Sequence, residues 1–131
     1  MSYASGKTGD QQTMIVELVT FKAPEGASWQ SILADAKSTI PRWRSNDQLV
    51  RKHYLVSDDG RMCAGLYIWP TRAAAEQAHD AQWRAGVQQR TGAAPEITYF
   101  DLMMLLDNEA GTVTEWSQTG EGRICCPRDR A

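Results

Sequence analysis

Six side chains suited to acid–base chemistry or to holding an aromatic ring fall within residues 49–83: His53, Tyr54, Tyr67, Trp69, His79 and Trp83. Both histidines of the chain, two of its five tryptophans and two of its four tyrosines lie in these 35 residues. Histidine titrates nearest neutral pH and is the readiest acceptor for the proton of a phenol or an activated C–H. Tyrosine and tryptophan orient an aromatic substrate by stacking and by a polar handle. The stretch therefore predicts a pocket wall, with His53 and His79 as catalytic acid–base residues and Tyr54, Tyr67, Trp69 and Trp83 binding substrate. Each also has a purely structural reading. His53 then serves a core or a dimer interface, His79 is a cation at a helix end, and Tyr67 and Trp69 stack against a partner subunit. Trp29 and Trp43 read as core and surface-anchor residues, not as ligands.

Other chemistries find no support. The three cysteines and two histidines lack metal-ligand spacing, so no metal site is expected. No glycine-rich phosphate loop or nucleophile elbow is present, and no cofactor is expected. Fourteen basic against sixteen acidic residues give a net charge of −2, which argues against a nucleic-acid partner. The longest apolar run, residues 102–106, is far below the ~20 residues of a membrane helix. Residues 1–13 contain no apolar h-region and predict a disordered segment without a secretory signal. Three cysteines form no disulfide framework, which makes the cytoplasm the expected location.

The elements that must position these residues follow in order. Residues 14–21 predict a first strand, with Met14, Val16 and Leu18 on one face. Ser28 caps a helix to about Thr39, whose stripe is Trp29, Ile32, Leu33, Ala36 and Ile40, and Pro41 stops it. Residues 49–56 and 61–69 are strands joined at Asp59-Gly60, a pair that tolerates the positive φ of a two-residue hairpin loop. Pro70 ends the second of these. Thr71 caps an alanine-rich helix to about Ala78, and Asp80 caps a continuation to about Gln89. Residues 97–106 are a long last strand, apolar on both parities. Residues 109–131, with Trp116 as an anchor and Cys125-Cys126 near the end, form a disordered tail or an arm laid on a partner.

The hairpin decides which residues share a face. With Asp59-Gly60 as a two-residue loop, Lys52 opposes Tyr67 and Tyr54 opposes Gly65, where an aromatic ring fills the missing side-chain volume. His53 then shares a face with Ala64, Leu66 and Ile68, the apolar face expected to lie under the helices, and Tyr67 and Trp69 look the other way. A loop one residue longer places His53 and Tyr67 on one face.

The order β-α-β-β-α-β predicts an α+β, ferredoxin-like domain over residues 14–108: a four-stranded antiparallel sheet with helices on one face. Its uncovered apolar face calls for a second copy of the chain, hence a homodimer. Lys52, the Gly65-x-Tyr67-x-Trp69 run, residues 73–76 and Asp107-Asn108 resemble the YdhR-like monooxygenase family of the dimeric α+β-barrel superfamily, to which antibiotic-biosynthesis monooxygenases belong. The resemblance implies two sheets closing a barrel across the dimer and a ligand cavity between sheet and helices. Haem-degrading relatives carry a histidine farther along the last helix, where this chain reads Arg84-Ala85-Gly86-Val87, so the resemblance does not extend to haem.

The expected function is a cofactor-independent monooxygenase acting on an aromatic or polyketide-like molecule. A proton-shuttling isomerase or cyclase, or a dimeric small-molecule-binding protein without catalysis, would use the same scaffold.

Overall fold

The computed structural model describes Ser2–Tyr3 and residues 13–118. Seven strands and four helices run in the order β1 (Ser2–Tyr3), β2 (Ile15–Lys22), α1 (Trp29–Ser38), α2 (Ile40–Arg44), β3 (Arg51–Val56), β4 (Met62–Trp69), α3 (Arg72–Ala78), α4 (Ala81–Thr91), β5 (Glu96–Asp101), β6 (Met104–Asp107) and β7 (Thr112–Glu115). Strands β3-β4-β2-β5, all antiparallel, form the main sheet, and its connections are those of an α+β ferredoxin-like fold. A small second sheet pairs β1-β7-β6.

The β3–β4 hairpin has the register expected from its sequence: Lys52 faces Tyr67 and Tyr54 faces Gly65. Its turn chemistry differs. Only Gly60 takes positive φ, at 74°. Asp59 Oδ1 accepts from Ser57 Oγ and from the Arg61 amide, and the Met62 amide donates to Ser57 Oγ. Side chains thus take over bonds that a two-residue loop would make with backbone alone.

The face covered by helices is the reverse of the expected one. Ile15, Val19, Tyr67 and Trp69 pack with Trp43 of α2 and Ala74 and Ala75 of α3 in one buried cluster, with Trp83 of α4 partly buried against it. His53, in register with Leu66, is exposed on the opposite face. Both faces carry apolar side chains, so apolar content could not tell them apart. What selects the face is that Tyr67 and Trp69 bury large rings where the helices supply matching surface.

Local signals place the helices well. Ser28 and Ser31 cap α1 reciprocally, each side-chain oxygen accepting from the other's amide. Thr71 and Asp80 accept from the amides of Ala74 and Trp83 and start α3 and α4. Gly92, at φ 84°, ends α4. The stripe on α1 is less buried than its spacing suggests. No residue of α1 is buried, and Trp29 keeps 66% of its surface. Trp43 is buried, reversing the roles expected of these two tryptophans.

The long last strand is two strands. β5 pairs with β2 through Asp101, and β6 then joins β7 in the other sheet. Two apolar parities here record a change of partner instead of one strand buried on both faces. Residues 109–118, expected as tail, complete the β6–β7 hairpin, and Trp116 donates its amide to the Met103 carbonyl. Within the segment expected to be disordered, Ser2–Tyr3 pairs with β7, while 1 and 4–12 lie outside the described residues. Cys125-Cys126 also lies outside them. No helix among the described residues is long and apolar enough to cross a membrane.

Candidate active site

Glu17 sits at the centre of β2, opposite Tyr67 on one side and Tyr99 of β5 on the other. Its side chain faces the helices and is fully buried. An isolated buried carboxylate is strongly disfavoured, so its partners matter. Trp69 donates from Nε1 to Glu17 Oε1 at 2.8 Å. His79 Nδ1 lies 3.0 Å from each carboxylate oxygen. A carboxylate acceptor at this place pairs with the tautomer that carries its proton on Nδ1, in which Nε2 holds the free lone pair.

His79 reaches this position from the junction of α3 and α4. It closes α3, its amide donating to the Ala75 carbonyl, and Asp80 immediately opens α4. The interruption turns the imidazole into the sheet instead of along a helix surface. Four rings surround it: Trp83 at 4.4 Å between centroids, Tyr67 at 4.6 Å, Trp43 at 5.2 Å and Trp69 at 6.5 Å. Trp43, Tyr67 and Trp69 are buried, whereas Trp83 is only half-buried. His79 Nε2 is buried and hydrogen-bonds to no group among the described residues. A buried polar atom left so costs ~1–3 kcal/mol, which a bound acceptor or donor would recover.

Tyr67 and Tyr99 are held as neutral phenols. Burial, then the charges of Glu17 and Tyr54, push the Tyr67 hydroxyl far above the ordinary tyrosine range. Burial and then the Glu17 charge also raise Tyr99. Tyr67 lies over Gly65, where an added Cβ would meet its Cε1 at 2.7 Å. The aromatic expected over this glycine was Tyr54. Tyr54 does lie opposite Gly65, but its hydroxyl bonds Thr39 Oγ1 at 2.9 Å and the residue is 42% exposed.

Lys52 lies beside the same rings. Its Nζ lies 4.0 Å from the Tyr54 centroid, 4.5 Å from that of Trp43 and 4.7 Å from that of Tyr67. Burial, aided by nearby Arg42, lowers its pKa to about 7.

The structure thus brings His79, Tyr67, Trp69 and Trp83 together, sets Tyr54 at the edge through Lys52, and leaves His53 on the far side of the sheet. Glu17, Trp43 and Tyr99 were not among the expected site residues, and Lys52 was noted only as a mark of the fold. Glu17 had a visible signal: a carboxylate in the middle of an apolar strand, out of phase with Val16 and Leu18. Among the described residues no group of three or more histidines, cysteines and carboxylates is placed to hold a metal.

No protein-family model and no curated protein matches the chain. Solved structures do. A monooxygenase from Streptomyces coelicolor, solved with the ligand nanaomycin D, superposes with a TM-score of 0.57 at 17% identity, over 76% of this chain and 96% of that one. A protein from Shewanella oneidensis gives 0.54 at 20% identity, over 70% and 92%. A protein described as an antibiotic biosynthesis monooxygenase gives 0.51 at 14% identity, over 69% and 98%. At such identities the likeness establishes a shared fold, and it supports at that level the resemblance drawn from the strand and helix residues.

Proposed function

We propose that the chain is a small homodimeric enzyme that oxygenates an aromatic or polyketide-like molecule, with His79 as the catalytic base. Fold does not fix chemistry, so the reading rests on one observation: a buried imidazole held by a carboxylate at Nδ1, enclosed by rings, with Nε2 unpartnered among the described residues.

In this reading the substrate ring enters past Trp83 and stacks among Tyr67, Trp69 and Trp83, with Tyr54 at the edge. His79 Nε2 takes a proton from a phenol or an activated methylene, and Glu17 stabilises the imidazolium formed. The resulting carbanion or enolate supplies the electrons to dioxygen. For a methylene converted to a carbonyl, four electrons leave carbon. One oxygen atom stays as the carbonyl and the other departs as water, so no external reductant or bound cofactor is needed. The fold neighbour solved with nanaomycin D lends support for a small-molecule ligand.

The uncovered sheet face supports the homodimer. Phe100 and Leu55 are exposed there at 53% and 44%, with Val16, Leu18 and Leu66 beside them. A second copy closing a barrel over this face would bury His53 at the interface, which gives that residue its role. A cytoplasmic location goes with this reading.

A Glu–His pair also moves protons without oxygen, so an isomerase or cyclase is the second reading. Oxygen-electrode traces with an anthrone, whose activated methylene is acidic, test both. Oxygen consumption that disappears in His79→Ala supports the oxygenase. Anaerobic turnover of a candidate substrate would move the assignment to the isomerase. A ligand bound with equal affinity by wild type and His79→Ala, and never turned over, would leave a binding protein.

A further inference from the structure

The corner around Lys52 is short of an anion. Lys52 is half-buried on β3 and Arg42 stands on α2, with its guanidinium 4.9 Å from the Trp43 ring centroid. Neither cation forms an ion pair among the described residues, whose ion pairs are Arg72 with Glu76 and Glu17 with His79. Arg42 reaches only the Ala78 carbonyl, at 3.4 Å. No hydrogen bond from Lys52 Nζ to an acceptor is formed there. Three ring faces attract the ammonium, yet a ring face cannot satisfy its N–H donors as an oxygen does. Lys52 is half-buried with no acid beside it, while Arg42, exposed to solvent, stands across the same tryptophan and leaves the corner open to an anion.

Tyr67 ties this corner to the base. One side of its ring lies near Lys52 Nζ, and the same ring packs edge-on against His79 at 4.6 Å. A planar molecule spanning Tyr67 would have one end at the ammonium and another near the imidazole. We infer that Lys52, with Arg42, forms a carboxylate subsite, so that the preferred ligand is an aromatic acid whose carboxylate pairs with Lys52 while its ring lies against Tyr67 and Trp43. This rests on the placement of the active site at Glu17 and His79 and narrows its substrate class.

The test compares 2-naphthoate with uncharged 2-naphthamide, matched in ring and size, by calorimetry on the full chain at pH 6.5. Wild type is expected to favour the carboxylate by about tenfold or more, as a charge-assisted hydrogen bond supplies. Lys52→Met should reduce that preference to about threefold or less, and Lys52→Arg should keep it, because the guanidinium retains the charge. Both variants are checked for folding by circular dichroism, and the arginine variant controls for loss of packing. Equal binding of the two probes to wild type, a preference that survives Lys52→Met, or no binding of naphthoate at about 10 mM overturns the subsite. His79→Gln keeps a donor for the buried Glu17 carboxylate and leaves Lys52 and Arg42 untouched, so its naphthoate preference should persist. If no substrate consumes oxygen while a Lys52-dependent preference is seen, the oxygenase reading fails and the subsite stands.

Discussion

His79 Nδ1 lies 3.0 Å from both carboxylate oxygens of Glu17, across 62 residues of sequence, and neither side chain reaches solvent. Each residue makes the other's burial tolerable. The carboxylate, taking Trp69 Nε1–H as well, is supplied with donors, and the imidazole is fixed with one nitrogen committed and the other left over. Such a pair is a weak stabiliser compared with apolar packing, but breaking it is expensive because one partner is stranded.

Glu17→Ala should therefore destabilise the fold by about 3–5 kcal/mol in urea unfolding. Glu17→Gln keeps the shape and an acceptor for Trp69, and should cost much less. In an oxygen-uptake assay the glutamine variant should still lose about a hundredfold or more in kcat, because the imidazolium loses its counter-charge. A glutamine variant as active as wild type would remove Glu17 from the mechanism.

The two histidines should part company. His79→Ala is expected to abolish turnover. His53→Ala, on the opposite sheet face, should leave kcat within about threefold. If that face is the dimer interface, Phe100→Glu buries a charge there and should shift light scattering from dimer to monomer. A dimer unchanged by Phe100→Glu would place the contact elsewhere.

Lys52 gives a pH signature. Its folded pKa, about 7, lies below the 10.5 of the free side chain, because burial and Arg42 oppose its charge. Between these values the unfolded chain binds a proton that the folded chain does not, so stability rises with pH across this window. Below pH 7 both states are protonated and this contribution is flat. Tyr67 acts oppositely at the top: its raised pKa means the unfolded chain loses a proton first above about pH 10, and stability falls. Urea midpoints for wild type should climb from pH 7 to 9.5 and then turn down, whereas Lys52→Met should lack most of the climb.

Gly65 should resist any side chain. A Cβ there would approach Tyr67 Cε1 to 2.7 Å, and the ring packs against Trp43, Trp69 and His79. Gly65→Ala is expected to cost about 1–3 kcal/mol by overpacking and to change the near-ultraviolet circular dichroism of the aromatic cluster. An unchanged spectrum and melting curve would show that Tyr67 can give way.

Local chemistry was legible in the residues themselves. Ser28, Thr71 and Asp80 announce three helix starts because a cap needs only its own next turn. The hairpin register followed from the position of Asp59-Gly60 in the sequence, since pairing outward from a turn is arithmetic. The order of strands and helices then restricts the chain to few topologies, and the ferredoxin-like arrangement is the one found. His79, Tyr67, Trp69 and Trp83 were recognisable as a group because they fall within one hairpin and the helices that follow.

What only the tertiary structure decided is which side of the sheet the helices cover. Alternation assigns His53 to one face and Tyr67 to the other, but it carries no information about which face is inside when both are apolar. That choice set His53 apart from the site and brought in Glu17, Trp43 and Lys52 from three separate elements. The same limit applies to residues 97–106, where two apolar parities mean a strand that changes sheets between Asp101 and Met104. Glu17 and His79 meet through a contact spanning 62 residues. A long-range pairing of that kind is set by the packing of helices on a sheet, not by any local period, and it appears only once the chain is folded.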